Sequence, residues 1–329
     1  MRRLAAEISR FPRHLASFAA VLCGVALIAT GCGGKPDGGA DVPASGATPG
    51  LKVYKHSLDE SPSSLDPAQA SNTYANHVME VTYDTLFSYK YLARPYQLKP
   101  ELADGWPGIS PDLLEYTIRI KKGVLFVDDP AFAGGVGREV TAEDFVYSIK
   151  RHFDPATRAQ GAWLWQGRIV GLDEWKDAGA DYSREVEGLR ALDRYTIFIR
   201  LTQPYPQLLD TFTQGYAAVV PREAVEHYGR EFAVHPVGSG PFRVVTYDTA
   251  LIVLERNPKY RKEPVDLAAE GYDPATQGEY GLERIQGRSP PFVDRLEIHF
   301  IGESSARWNS FTKGDEVQYI TVPNEQLDR

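Results

Sequence analysis

Three runs of alternating side chains limit what this chain can fold into more than any other feature. Tyr116, Ile118 and Ile120 are separated by Thr117 and Arg119; Tyr195, Ile197, Ile199 and Leu201 repeat the pattern; Leu296, Ile298 and Phe300 begin it again. A period of two is that of a strand with one face against a core. Other stretches carry the helical period. Tyr74, Val78, Val81, Thr82, Thr85 and Leu86 recur so that residues 74–87 predict an amphipathic helix, and Phe145, Ile149 and Phe153 follow at four-residue steps. Thr141 with Asp144 three residues later is a capping pattern for that second helix, and Asp154-Pro155 ends it. Strands interleaved with helices point to an α/β fold of mixed sheets flanked by helices.

The remaining elements are placed by turn chemistry. Residues 51–54 can start a strand, and 61–71 is a turn-rich passage around Asp66-Pro67. Lys121-Lys122-Gly123 turns into a short strand over 124–127, and residues 222–232 can form a helix after Val219-Val220-Pro221. Residues 236–242 are glycine-rich and demand either close backbone approach or positive φ at Gly238 or Gly240. They lead into strands over 242–247 and 251–256. Residues 131–138, with Gly134-Gly135, read as a surface loop; no Lys-Ser or Lys-Thr follows in phosphate-loop spacing. Residues 266–291 are polar, glycine-rich and long for a connection.

The N-terminus reads as an address. Arg2, Arg3, Arg10 and Arg13 precede an apolar run over 15–28, short for a membrane span and suited to a signal peptide over residues 1–31. Ala29-Thr30-Gly31-Cys32 resembles a bacterial lipoprotein box, which makes Cys32 the expected lipidation site; the alternative is an uncleaved membrane anchor. Arg2-Arg3 lacks the following residues of twin-arginine export, so ordinary secretion is expected. The two cysteines, Cys23 and Cys32, leave the mature chain without a disulfide, and a chain with 43% hydrophobic residues can rely on a buried core instead. Residues 32–49 are Gly, Ala, Pro, Ser and Asp with little to bury, hence a flexible tether. Removing residues 1–31 takes away four arginines and Glu7, so the formal charge of −8 falls to about −11. Nucleic acid and anionic membrane surfaces are disfavoured as partners.

Catalytic signatures are missing. There is no His-Glu-x-x-His run, Gly238-Ser239-Gly240 is not a nucleophile elbow, and the mature chain offers no thiol nucleophile. Asp128-Asp129 and Glu143-Asp144 are adjacent carboxylates of the kind usually solvated, and Asp144 already has a capping role. His77 reads as a core or rim histidine, because no second ligand stands at metal-binding spacing. No cofactor and no metal are called for.

Ser64-Leu65-Asp66-Pro67, Gly123-Val124-Leu125-Phe126, the run from Thr141-Ala142-Glu143-Asp144-Phe145 through Ser148-Ile149-Lys150-Arg151, Pro236-Val237-Gly238-Ser239-Gly240-Pro241-Phe242 and Leu254-Glu255-Arg256-Asn257-Pro258-Lys259-Tyr260 follow one another along the chain. In that order they resemble the first half of a peptide- or nickel-type extracytoplasmic solute-binding protein, family 5, over roughly residues 50–262. The resemblance makes the surface loop over 131–138 an insertion. The resemblance implies a periplasmic-binding-protein type II-like clamshell, apparently truncated before its second lobe is complete, since the family runs on for about two hundred residues more. It implies a first lobe (domain I) over 50–84 plus 189–262, an inserted small domain (domain II) over 85–188, and an incomplete start of the second lobe (domain III) over 263–329, entered through Lys313-Gly314-Asp315-Glu316-Val317.

The implied function is binding. Such a protein is the substrate-binding component of an ABC importer, not an enzyme; it captures peptides, oligopeptides foremost, and delivers them to a permease. A lipid-anchored monomer on the periplasmic side of a bacterial membrane or at the cell surface is expected. Dipeptides, nickel chelates, haem and sugars stay open as solutes. By position, Ala70, Ser71, Asn72 and Thr73 are expected to edge the cleft through main-chain groups. Trp163 and Trp165 occupy the neighbourhood of a family aromatic, and both rings face one side if the segment is extended. Arg158 and Arg168 could meet a carboxylate. With the acidic anchor for a peptide amino terminus placed beyond Arg329, weak or undetectable ligand binding by this chain is expected. The alternatives are a lipid-anchored hydrolase of peptides or glycans, or a non-transport envelope interaction lipoprotein on the same scaffold.

Overall fold

The computed structural model describes residues 50–314, 317–320 and 322–327, so the signal-peptide reading, the tether and Cys32 lie outside the described residues, as do Asp315 and Glu316. In chain order the elements are β1 (Val53–Leu58), α1 (Thr73–Thr82), β2 (Phe87–Tyr89), β3 (Leu98–Pro100), β4 (Gly108–Ile109), β5 (Glu115–Arg119), α2 (Ala142–Arg151), α3 (Leu172–Asp177), β6 (Leu189–Asp193) and β7 (Thr196–Arg200). Then come α4 (Leu208–Thr211), α5 (Arg222–Tyr228), β8 (Phe242–Tyr247), β9 (Leu251–Arg256), α6 (Pro274–Gln277), β10 (Arg295–Phe300) and α7 (Ser304–Lys313). Among the described residues no helix is long and apolar enough to cross a membrane.

Two four-stranded sheets carry the architecture. The first has the order β1-β10-β9-β8, with β10 parallel to β1 and antiparallel to β9; the second has the order β4-β5-β7-β6, all antiparallel. Alternation did its work here: Tyr116 and Ile118 of β5 stand opposite Ile199 and Ile197 of β7, and all four are buried. Helix α2 packs its apolar face on β6 and β7. A smaller core joins Leu58, Leu65, Val78, Phe242, Ile252, Leu254 and Ile298 beneath the first sheet.

These pairings correct the expected domain limits. The boundary between residues 188 and 189 does not separate two bodies, because β6 and β7 complete the sheet begun by β4 and β5. Nor does β10 open a second lobe: it is an inner strand of the first sheet, hydrogen-bonded on both sides.

Local differences have local causes. Helix α1 stops at Thr82 rather than 87, as Tyr83 turns extended (φ −115°, ψ 161°) and Asp84 is drawn to Ser239 and Arg261 at 2.7 and 2.8 Å. Residues 124–127 form a single bridge, Leu125 to Glu139, instead of a strand. The helix expected over 222–232 breaks at Gly229, φ 52°, into a 3-10 turn. The 131–138 insertion is not wholly superficial, for Phe132 is buried and stacks on Phe126 with centroids 5.9 Å apart. The cap of α2 is as read: the Asp144 carboxylate accepts from the N–H and hydroxyl of Thr141, at 2.8 and 2.9 Å.

Candidate functional site

The Ser64-Leu65-Asp66-Pro67 turn is a latch held by a set of buried hydrogen bonds. Ser64 Oγ accepts the Asp66 N–H at 3.1 Å, Asp66 Oδ1 accepts the Ala68 N–H at 3.1 Å, and the Leu65 carbonyl accepts the Tyr83 hydroxyl at 3.0 Å. Arg151, the last residue of α2, donates two bonds to the Asp66 carboxylate at 2.8 and 2.6 Å, with both side chains buried. Burial alone would lower the Arg151 pKa, but the hydrogen bonds and charge of Asp66 outweigh it and the pKa is raised. This pair welds the first sheet's connection to the helix of the second.

The chain leaves the latch through the four predicted residues. Ala70 is buried and its N–H bonds back to the Asp66 carbonyl at 2.9 Å, so its amide serves the turn. Asn72 caps α1, its Oδ1 accepting the Ala75 N–H at 3.0 Å. Ser71 and Thr73 are exposed, and no partner among the described residues is found for the N–H groups of Ser71, Asn72 and Thr73. A short run of main chain is thus anchored at both ends, with donors between that have no partner among the described residues.

A second loop abuts it. The Gln160 N–H bonds to the Ala68 carbonyl at 2.8 Å, and Gln69 Nε2 donates to the Thr157 carbonyl at 3.0 Å. Gly161 then lies so close to the rings of Tyr216 and His152 that a Cβ would fall 2.7 and 2.8 Å from them. The next residues form a 3-10 turn, Ala162–Leu164, not an extended strand. With three residues per turn, side chains two apart diverge by about 120°. The two tryptophans therefore part company. Trp163 is 64% exposed, whereas Trp165 is fully buried, donates Nε1–H to Thr211 Oγ1 at 2.9 Å and stacks on Phe212. Trp165 is a core residue, and the expectation of one wall carrying both rings is corrected. Arg158 is exposed in a left-handed cap, and Arg168 lies over the Tyr205 ring at 4.0 Å.

Sequence reasoning missed what supports this loop. His152, the residue after α2, is buried; its Nε2 pairs with the Tyr216 carbonyl at 2.8 Å and its ring meets Trp165 edge-on at 5.3 Å. Burial first, and the Arg151 charge beside it, push its pKa down to about 4 despite the carbonyl. Only the four-residue spacing from Ser148 hinted at an inward position. The unfolded chain takes up a proton near the ordinary value of about 6.5 while the folded chain resists until about 4, so stability falls as pH drops through that window. Urea unfolding at pH 5 should show roughly 2 kcal/mol less stability than at pH 7, and a His152→Gln variant should lose most of that slope. Half-buried His56, also lowered by burial, acts in the same direction.

A cavity of about 540 Å³ lies along α1, lined by Asn76, Glu80, Tyr83, Gln214, Gly215 and Tyr260 among others. Among the described residues no group of three or more His, Cys, Asp or Glu side chains is arranged to hold a metal.

Comparison with known proteins gives one consistent picture. Residues 97–329 match the family described as bacterial extracellular solute-binding proteins, family 5 middle. The glutathione-binding protein GsiB of Escherichia coli is 27% identical over 184 residues, 56% of this chain and 30% of that one. The periplasmic oligopeptide-binding protein OppA of Salmonella typhimurium is 28% identical over 225 residues, 67% of this chain and 39% of that one. Among solved structures, an oligopeptide-binding protein of Borrelia burgdorferi superposes with a TM-score of 0.65 at 24% identity, over 84% of this chain and 49% of that one. Listeria monocytogenes OppA bound to peptide gives 0.62 at 20% identity, over 80% and 45%. The chain thus spans under half the length of the relatives it matches, and over that span it has the type II periplasmic-binding-protein fold.

Proposed function

Because the chain belongs to family 5 of the bacterial extracellular solute-binding proteins, we propose that it is part of the substrate-binding component of an ABC importer, capturing peptides outside the cytoplasmic membrane for delivery to a permease. Oligopeptides are the favoured class. The observation that carries this reading is the juxtaposition of unpaired main-chain donors at Ser71, Asn72 and Thr73 with the loop that presents Trp163. An extended peptide offers a carbonyl at each residue, so main chain meeting main chain binds many sequences, while an exposed aromatic adds contact area with little demand on the side chain it meets. The names of the peptide-binding relatives point the same way. Ala70 contributes as the rigid start of this edge rather than through its amide. Lipid attachment at Cys32, which would hold the protein at the membrane surface, belongs to the same proposal, as does a monomeric state.

Trp163→Ala tests the reading. Its ring is largely in solvent, so thermal stability should change by less than about 0.5 kcal/mol, while affinity for a pool of tri- to pentapeptides, measured by calorimetry, should drop about tenfold or more. Equal affinities for the two proteins would remove Trp163 from the site.

A further inference from the structure

His77 has a histidine neighbour that sequence spacing could not reveal. His77 lies exposed on α1, and His56 lies half-buried on β1, with ring centroids 5.8 Å apart and planes inclined by 47°. Metal–nitrogen bonds of about 2.0–2.1 Å, with each ring centroid roughly 1.1 Å behind its nitrogen, put two imidazoles sharing one ion about 5–6.5 Å apart. The observed separation falls inside that interval.

A second observation concerns His56 itself. Its Nδ1 is out of contact with solvent and has no hydrogen-bond partner among the described residues. A buried ring nitrogen left unpaired is costly, and an ion or a water that is not part of the protein is the ordinary remedy. Tyr54 and Tyr319 pack against the same ring, at 6.5 and 6.1 Å, which fixes its orientation. A cavity of about 430 Å³, bounded by His56, Ser57, Tyr319 and the ion-paired Asp59 and Arg307, opens beside His56.

We propose that His56 and His77 form a two-imidazole site for a divalent transition ion, Cu²⁺ in preference to Zn²⁺, whose other positions are filled by water or a small chelating molecule. Neutral imidazoles suit these ions, and the order of affinities places copper above zinc. Imidazole nitrogens disfavour Mg²⁺ and Ca²⁺, which prefer oxygen donors. The inference is independent of peptide capture. His77 nevertheless stands four residues after Thr73, one helical turn from the exposed main chain, so an ion held there would border the same face.

The experiment is calorimetric titration of the full chain with Cu²⁺ and Zn²⁺, joined to pulsed EPR of the copper form, which counts coordinated imidazoles. The expected result is one site, tighter for Cu²⁺, with two imidazoles; His77→Gln and His56→Gln should each weaken it by about tenfold or more and reduce the count to one. His227→Gln, an exposed histidine elsewhere, should leave both readouts unchanged. His77→Gln alters an exposed side chain and keeps the test decisive if His56→Gln fails to fold. No binding at about 1 mM ion, or binding that survives the loss of His77, would overturn the proposal; a water on His56 would then account for the unpaired nitrogen.

Discussion

Asp66→Ala should lower the unfolding free energy by about 3–5 kcal/mol, because it strands the Arg151 guanidinium in a site where water cannot replace the carboxylate. Arg151→Met should cost less. Its apolar stem can lie between the rings of Tyr147 and Phe232, which now face the guanidinium at 6.0 and 5.8 Å, although among the described residues the Asp66 carboxylate keeps only the Ala68 N–H. The double variant should be more stable than Asp66→Ala alone, since removing both charges removes the uncompensated one. Urea unfolding of the four proteins measures this directly; single-variant losses below about 1 kcal/mol would mean that the pair is hydrated and not buried. The consequence reaches the site, because the latch fixes both the start of the Ala70–Thr73 edge and, through the Gln160 bond to Ala68, the loop bearing Trp163.

The second large effect is steric. A Cβ on Gly238 would lie 2.2 Å from the Thr82 carbonyl oxygen, and one on Gly240 2.6 Å from the Thr82 carbonyl carbon. Both obstacles are main chain at the end of α1, and the same Thr82 oxygen accepts the Gly240 N–H at 3.0 Å. Neither can swing aside as a side chain would. Gly238→Ala should therefore cost more than about 4 kcal/mol and lower the melting temperature by about 10 °C. Gly278→Ala is the control: its φ is −60° and nothing lies within 4 Å of the added carbon. A melting temperature for Gly238→Ala within about 2 °C of the parent would show that the glycine loop packs elsewhere.

Asp66, Arg151, Gly238, Gly240 and Asn257, whose Nδ2 donates to the Gly240 carbonyl at 2.9 Å, all hold elements together. The residues offered to a solute lie between them and are less distinctive.

That division explains what could be read in the chain. Alternation placed β5, β7 and β10, and β8 and β9 have the limits their turns implied, because each signal is local. The glycine alternatives at Gly238 and Gly240 were also framed by local chemistry, and close approach proved to be the operative one. What escaped depends on partners distant in sequence. The insertion of β10 between β1 and β9 joins residues about 240 apart, so no window around residue 298 could disclose it. Phe132 looked like part of an exposed insertion until Phe126 supplied its stacking partner. The two tryptophans were separated by a 3-10 turn whose sequence, Ala-Trp-Leu, carries no glycine or proline to announce it. His56 had no reason to be linked with His77 before β1 and α1 were placed side by side.

The central claim is that the Ala70–Thr73 edge and the Trp163 loop form one peptide-binding face. Amide and indole NMR shifts, followed while an oligopeptide pool is titrated into the protein to about 1 mM, test it most directly. The account predicts saturable shifts at Ser71, Asn72, Thr73, Gln160 and the Trp163 indole, with Trp165 unmoved. Saturable binding that perturbs other surfaces and leaves these residues unchanged would contradict it.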